Sequence, residues 1–143
     1  MKLAICTDVF ADLSYTDMLD KVKSLGIDAV EMTAGGWGAR KHCNTAELLV
    51  DAGKREAFMM ELEKRGMRIS ALNTSCNPLW PSKTGEEYKK SMYDCATLAG
   101  LLGVKKIVAM AGLPAGNETD TTPNWITSTV PWPDFMAPAY EYR

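Results

Sequence analysis

The chain has 143 residues, of which 46% are hydrophobic and 24% charged, and a formal net charge of -2. That is enough chain for one domain with a substantial core. The two charge signs are interspersed, which speaks against a nucleic-acid surface of clustered Lys and Arg, and no apolar run approaches the ~20 residues of a membrane span.

The N-terminal stretch Met1 to Cys6 lacks a long apolar run with a cleavage site. The four cysteines (Cys6, Cys43, Cys76, Cys95) form no C-x-x-C and no compact framework. The expectation is a cytoplasmic chain with reduced thiols and no signal peptide.

Leu3 to Thr7 reads as a buried strand running into Asp8-Val-Phe10. Ser14 is placed to cap a helix, with Asp17 reaching back. Met18, Leu19, Val22 and Leu25 then recur at helical spacing. Asp28 to Met32 is a second strand with Glu31 near its end. A glycine-rich loop follows, Thr33-Ala-Gly-Gly-Trp-Gly38, leading to Arg40-Lys-His-Cys43. Residues 44–50 suit a short helix, and Asp51 can cap another with Phe58, Met59 and Leu62 on its apolar side. Arg68 to Leu72 is the third strand.

Asn73-Thr-Ser-Cys-Asn-Pro-Leu-Trp-Pro81 is a polar loop. Thr84-Gly-Glu-Glu87 reads as a capping box for a helix with Tyr88, Met92, Cys95, Ala99 and Leu102 on its buried face. Lys106 to Met110 is the fourth strand. From Ala111 the pattern changes: residues 117–143 are dense in Pro, Thr and Trp and show no helical period. The expected organisation is four βα units over 1–116, then a loop or truncated tail over 117–143.

One signal recurs three times: an amphipathic helix end, a glycine, an apolar residue, a short strand. The glycines are Gly26, Gly66 and Gly103, spaced by 40 and 37 residues. Glycine suits a helix C-cap because it takes the left-handed conformation that a Cβ resists. Repeated strand–helix–strand passages make a parallel sheet. Two architectures use this unit, the eight-stranded TIM barrel and the small doubly wound sheet. At about 34 residues per unit, eight units need roughly 250 residues or more. If a barrel, this is the N-terminal half of one, and its open edge favours homo-oligomers.

Asp8 after strand one, Ala29-Val-Glu-Met32, the loop Gly36-Trp-Gly-Ala-Arg-Lys-His-Cys43, and Ser70-Ala-Leu-Asn73 leading to Asn77-Pro-Leu-Trp-Pro81 carry a family resemblance. Together they resemble the first half of the sugar phosphate isomerase/epimerase family, the xylose-isomerase-like TIM barrels. One departure is Trp80, where relatives often carry His. The resemblance implies a divalent metal (Mn, Mg, Co or Zn) near the barrel axis, with Glu, Asp and His ligands mostly from strands five to eight. It implies proton transfer between neighbouring carbons of a ketose or aldose, the metal polarising the oxygens. No metal ligand and no catalytic acid–base pair carries over to this sequence, so the fragment is expected to be inactive alone.

What carries over is a substrate-side wall at the C-terminal ends of strands one to four. Its candidates are Asp8, Glu31, Trp37, His42, Asn73, Asn77 and Trp80, with a small-molecule sugar as partner. Each has a plainer reading. Asp8 can cap the next loop, and Glu31 can pair on the surface. His42, the single histidine, can simply be solvated. Asn73 and Asn77 suit loop geometry, and Trp37 and Trp80 can be packing rather than sugar stacking. His42, Cys43 and Cys76 match no usual zinc spacing. Gly35, Gly36 and Gly38 fit a turn better than a phosphate cradle, since they do not form G-x-G-x-x-G. A nucleotide-binding α/β domain and a non-catalytic, self-associating half-barrel remain as alternative functions.

Overall fold

The computed structural model describes residues 3–113; the expected loop or tail over 117–143 lies outside the described residues. Four strands alternate with helices: β1 (Ile5–Cys6), a 3-10 turn (Thr7–Phe10), α1 (Tyr15–Ser24), β2 (Ala29–Thr33), α2 (Thr45–Val50), α3 (Ala52–Glu63), β3 (Arg68–Thr74), α4 (Lys83–Leu102) and β4 (Ile107–Ala109).

Each helix start has a side-chain cap. Ser14 accepts from the Asp17 amide, Asn44 from Glu47, Asp51 from Lys54 and Ser82 from Gly85. The last of these corrects the expected start of α4. Gly85 packs directly against the Trp80 carbonyl, and the Ser82 amide bonds that same carbonyl at 2.8 Å. The chain therefore turns at Ser82, and Thr84 lies inside the helix. The recurrent glycine closes α1, α3 and α4 as the repeat predicts. Gly26, Gly66 and Gly103 have φ of 76°, 60° and 69°. In each case the following apolar amide bonds back into the last turn: Ile27 to Val22, Met67 to Leu62 and Val104 to Ala99. This is the paired closure in which a left-handed residue satisfies the last carbonyls.

The sheet order is β1-β2-β3-β4, and every pair is parallel. A doubly wound sheet reverses direction at a switch point; this one never does. Right-handed crossovers that always step the same way put every helix on one face. The fold is α/β, three βα units and a fourth strand in TIM-barrel order among the described residues, and so a half-barrel. The core lies between helices and the outer sheet face, where Met18, Leu19, Val22, Leu62 and Leu98 meet Val30, Met32 and Leu72. Leu25, expected on the apolar stripe of α1, is exposed because it sits at the C-cap.

One irregularity bears on the site. Val30 aligns with Ile69, but Glu31 aligns with Ala71, so Ser70 is an extra residue in β3. The Ser70 hydroxyl donates to the Val30 carbonyl at 2.9 Å. Side chains alternate faces along a strand, so one inserted residue exchanges the faces of everything after it. Leu72 thereby joins the outer core with Met32, and Asn73 shares the inner face with Glu31 and Thr33.

Candidate functional site

Parallel βα folds place functional groups at the C-terminal ends of their strands. Here that edge carries Asp8 just after β1, Glu31 and Thr33 on β2, and Asn73 on β3. Glu31 and Asn73 are joined directly: Asn73 Nδ2 donates to Glu31 Oε1 at 2.6 Å. The other end of the carboxamide is also fixed, because the Ser75 amide donates to Asn73 Oδ1 at 2.8 Å. Both residues are half-buried. Among the described residues no further partner engages the Glu31 carboxylate.

Asp8 reaches the same end of the sheet from the 3-10 turn. A Cβ built at Gly38 would meet Thr33 Cγ2 and lie 2.6 Å from Asp8 Oδ2. The loop after β2 thus folds back over the ends of β1 and β2, and only a residue without a side chain lets it come so close. Thr33 is held from the β1 side, with its amide donating to Thr7 Oγ1 at 3.4 Å and its hydroxyl 3.8 Å from Cys6 Sγ.

The glycine-rich loop is a turn, not a phosphate cradle. The Ala34 and Gly35 amides both bond the Asn73 carbonyl, the Gly36 amide bonds Ser91 Oγ, and the Trp37 amide bonds the Ser75 carbonyl. An anion would have to displace these partners. Trp37 is 56% exposed and meets Tyr88 edge-to-face, ring centroids 6.2 Å apart. Trp80 is half-buried in the turn before α4.

Two candidates lie elsewhere or hold the scaffold. His42 is buried, with Nε2 3.1 Å from the Leu13 carbonyl, and borders a cleft among α1, α2 and α3 on the helix side of the sheet. Asn77 is buried and spans two loops. It donates to the Leu113 carbonyl at 2.8 Å and accepts from the Leu113 and Leu79 amides at 2.7 and 3.3 Å. The structure therefore gathers Asp8, Glu31 and Asn73 at one edge with Trp37 in the loop above, and separates His42 from them. Thr33 and Ser75 also belong to this edge. Thr33 was readable as the next same-face residue after Glu31, whereas Ser75 acts through its backbone and gives no side-chain signal.

Among the described residues no three His, Cys, Asp or Glu side chains come together in a way that could hold a metal ion. Asp8 and Glu31 therefore do not amount to a metal site in the described part of the chain. Among the same residues no helix is long and apolar enough to cross a membrane.

No protein-family model matches the sequence. The chain is 47% identical over 143 residues to the uncharacterized protein YfiH of Bacillus subtilis (strain 168). The match takes in 100% of this chain and 46% of YfiH, so the chain spans about half the length of that relative. Among solved structures it is similar to the probable 3-DHS dehydratase AsbF, involved in petrobactin synthesis, from Bacillus anthracis. The TM-score is 0.56 at 18% identity, over 82% of this chain and 41% of the other. At that identity the likeness is one of fold.

Proposed function

We propose that this chain forms the substrate-side wall of a sugar isomerase or epimerase barrel of the sugar phosphate isomerase/epimerase type. The observation that carries the reading is the fixed Glu31–Asn73 pair at the C-terminal edge of a parallel, one-directional sheet. A carboxylate held by a carboxamide is suited to accepting hydrogen bonds from sugar hydroxyls, and Asp8 adds a second acceptor at the neighbouring strand end. Trp37 offers an exposed ring for the apolar face of a sugar. Asn77 and His42 serve this wall by holding the loops, and Trp80 stands half-buried in the turn before α4.

In the complete barrel a divalent metal (Mn, Mg, Co or Zn) would polarise a carbonyl and its neighbouring hydroxyl during 1,2-proton transfer. The described residues do not fit such an ion, so no catalytic step is assigned to them. Their work is to bind and orient. The test is to assay the isolated chain for ketose–aldose exchange with Mn²⁺ or Mg²⁺, alongside sugar binding by the same sample. Binding without turnover is expected. Turnover by the monomer would overturn the assignment of this chain to the binding side alone.

A second reading, a non-catalytic half-barrel that associates with itself, is favoured by β4. Its outer edge is unpaired among the described residues, and Ile107, Val108 and Met110 around it are 40%, 39% and 43% exposed. Unpaired edges with exposed apolar side chains promote pairing with other chains. Sedimentation tests this: a compact monomer at high concentration rejects self-association. The nucleotide-binding alternative is weakened, because the loop amides that would cradle a phosphate already have protein partners.

A further inference from the structure

We propose that Asn73 is a positioning residue, turned onto Glu31 by the extra residue at Ser70, and that it leaves Glu31 Oε2 as an acceptor for ligand hydroxyls. The inference rests on the sugar-wall reading and assigns separate tasks to residues that reading treats alike.

In an unbroken ladder Glu31 would face Ser70, Thr33 would face Leu72, and Asn73 would point with Met32 into the helix-side core. The extra residue reverses this, aligning Thr33 with Asn73. The Ser70–Val30 hydrogen bond, 2.9 Å long, pins the irregularity at its origin. Such insertions recur next to functional sites, where they re-aim a side chain. What is re-aimed here is a carboxamide, whose two ends have opposite hydrogen-bonding character. Its acceptor end takes the Ser75 amide at 2.8 Å, which fixes its orientation. Its donor end must then face Glu31, which it meets at 2.6 Å. A carboxylate has two oxygens, and Asn73 engages Oε1. Oε2 has no partner among the described residues, in a half-buried setting where a fixed acceptor binds hydroxyls better than a mobile one.

Two further candidates are weaker. The cleft bordered by Tyr15, His42 and Phe58 carries both charge signs and no convergent polar group. The β4 edge already belongs to the self-association reading.

The experiment uses the full 143-residue chain, Glu31→Gln and Asn73→Asp. Asn73→Asp keeps the oxygen that accepts from Ser75 but replaces the donor facing Glu31 with a second anionic oxygen, so it removes the positioning contact while sparing the turn. Without ligand, the Asn73 side-chain amide signals in a ¹⁵N NMR spectrum should be shifted and protected from exchange, and should move in Glu31→Gln. Unprotected signals at random-coil positions overturn the pairing whatever the ligand. The ligand probe is xylitol, which presents adjacent hydroxyls, against pentane-1,5-diol, which does not. Xylitol is expected to bind more tightly, with a loss of about tenfold or more in both variants, since hydrogen bonds to a charged acceptor are roughly twice as strong as neutral ones. Asn73→Asp binding xylitol as the parent does would overturn the positioning role and leave the sugar wall standing. Failure of the parent chain to bind any polyol would overturn the wall and Oε2 as its acceptor together; the amide signals report the pairing separately.

Discussion

Asn77 grips Leu113 from both sides, its Nδ2 donating to the Leu113 carbonyl at 2.8 Å and its Oδ1 accepting from the Leu113 amide at 2.7 Å. One side chain thus does for the loops after β3 and β4 what a ladder does for strands. Gly112 makes room for it: a Cβ there would sit 2.6 Å from Asn77 Oδ1. Asn77→Ala leaves two backbone groups of Leu113 and the Leu79 amide without this partner. The expected cost is about 1–3 kcal/mol, read as a lower urea midpoint at unchanged slope. Asn77→Asp keeps the acceptor and loses only the donor, so it should fall between the two.

Gly36 and Gly100 separate close approach from plain helix propensity. A Cβ at Gly36 runs into the Ser75 carbonyl, and its φ is +70°. Gly36→Ala must disturb the turn that brings the Trp37 amide to the same carbonyl at 2.9 Å, with an expected cost of roughly 1–3 kcal/mol. Gly100 lies within α4, and a Cβ built on it meets nothing within 4 Å. Gly100→Ala should therefore stabilise the chain by roughly 0.5–1 kcal/mol. Thermal unfolding of the two variants should move in opposite directions from the parent.

These glycines also show how much was legible in the sequence. The helix–glycine–strand repeat could be read because helix ends obey local rules, and Gly26, Gly66 and Gly103 follow them. The helix faces and two of the four caps, Ser14 and Asp51, were local too. The start of α4 was missed because the chain turns at Ser82, whose amide bonds the Trp80 carbonyl and whose hydroxyl accepts from Gly85, contacts that the local pattern does not show. Barrel against doubly wound sheet could not be decided from βα units alone, since both use them and differ only in the spatial order of strands. At the candidate site Glu31 and Asn73 were each identifiable as polar residues near strand ends. Their partnership was not, because it depends on the extra residue at Ser70, a tertiary adjustment with no local signature. His42 illustrates the reverse: its loop pointed to the mouth, but burial against Leu13 carries the ring to the helix side.

Arg65 links α3 to α1 and should give the fold an acid-sensitive component. Its Nε and Nη2 donate to the two Asp20 carboxylate oxygens at 2.6 and 3.2 Å, and Nη1 donates to Glu61 at 2.7 Å. The Arg65 hydrogen bonds hold the Asp20 carboxyl below its ordinary value, and Lys64 followed by Arg65 does the same for Glu61. A carboxylate whose folded value is depressed stabilises the fold above its unfolded value, and that contribution disappears as pH falls through the folded one. Arg65→Met should thus differ from the parent at neutral pH and converge with it in acid, below about pH 4. Because Asp20 is exposed, the gap should be small and shrink with added salt. Urea midpoints measured against pH and ionic strength test this; a gap that widens in acid would contradict the ion-pair account.

The four thiols should divide by burial when labelled in the native state. Cys43, Cys76 and Cys95 are buried, and Cys6 is half-buried at the edge of the sheet. Burial pushes the Cys43 and Cys95 thiols up to about 11 and also raises Cys76. The thiolate is the reactive form, so at pH 8 these three combine poor access with little ionisation. Cys6 should label first with a disulfide reagent, and the others only as fast as the fold opens, accelerating with sub-denaturing urea. The raised values carry a second consequence. A thiol whose folded value exceeds its unfolded value favours the folded state fully below the unfolded value, near pH 8.5. That contribution is lost as pH rises toward about 11, the folded value for Cys43 and Cys95. Cys95→Ala should thus be less alkali-sensitive than the parent while losing core packing at neutral pH. Rapid stoichiometric labelling of three or four thiols in the native state would contradict the packing described for α2, α4 and the loop after β3.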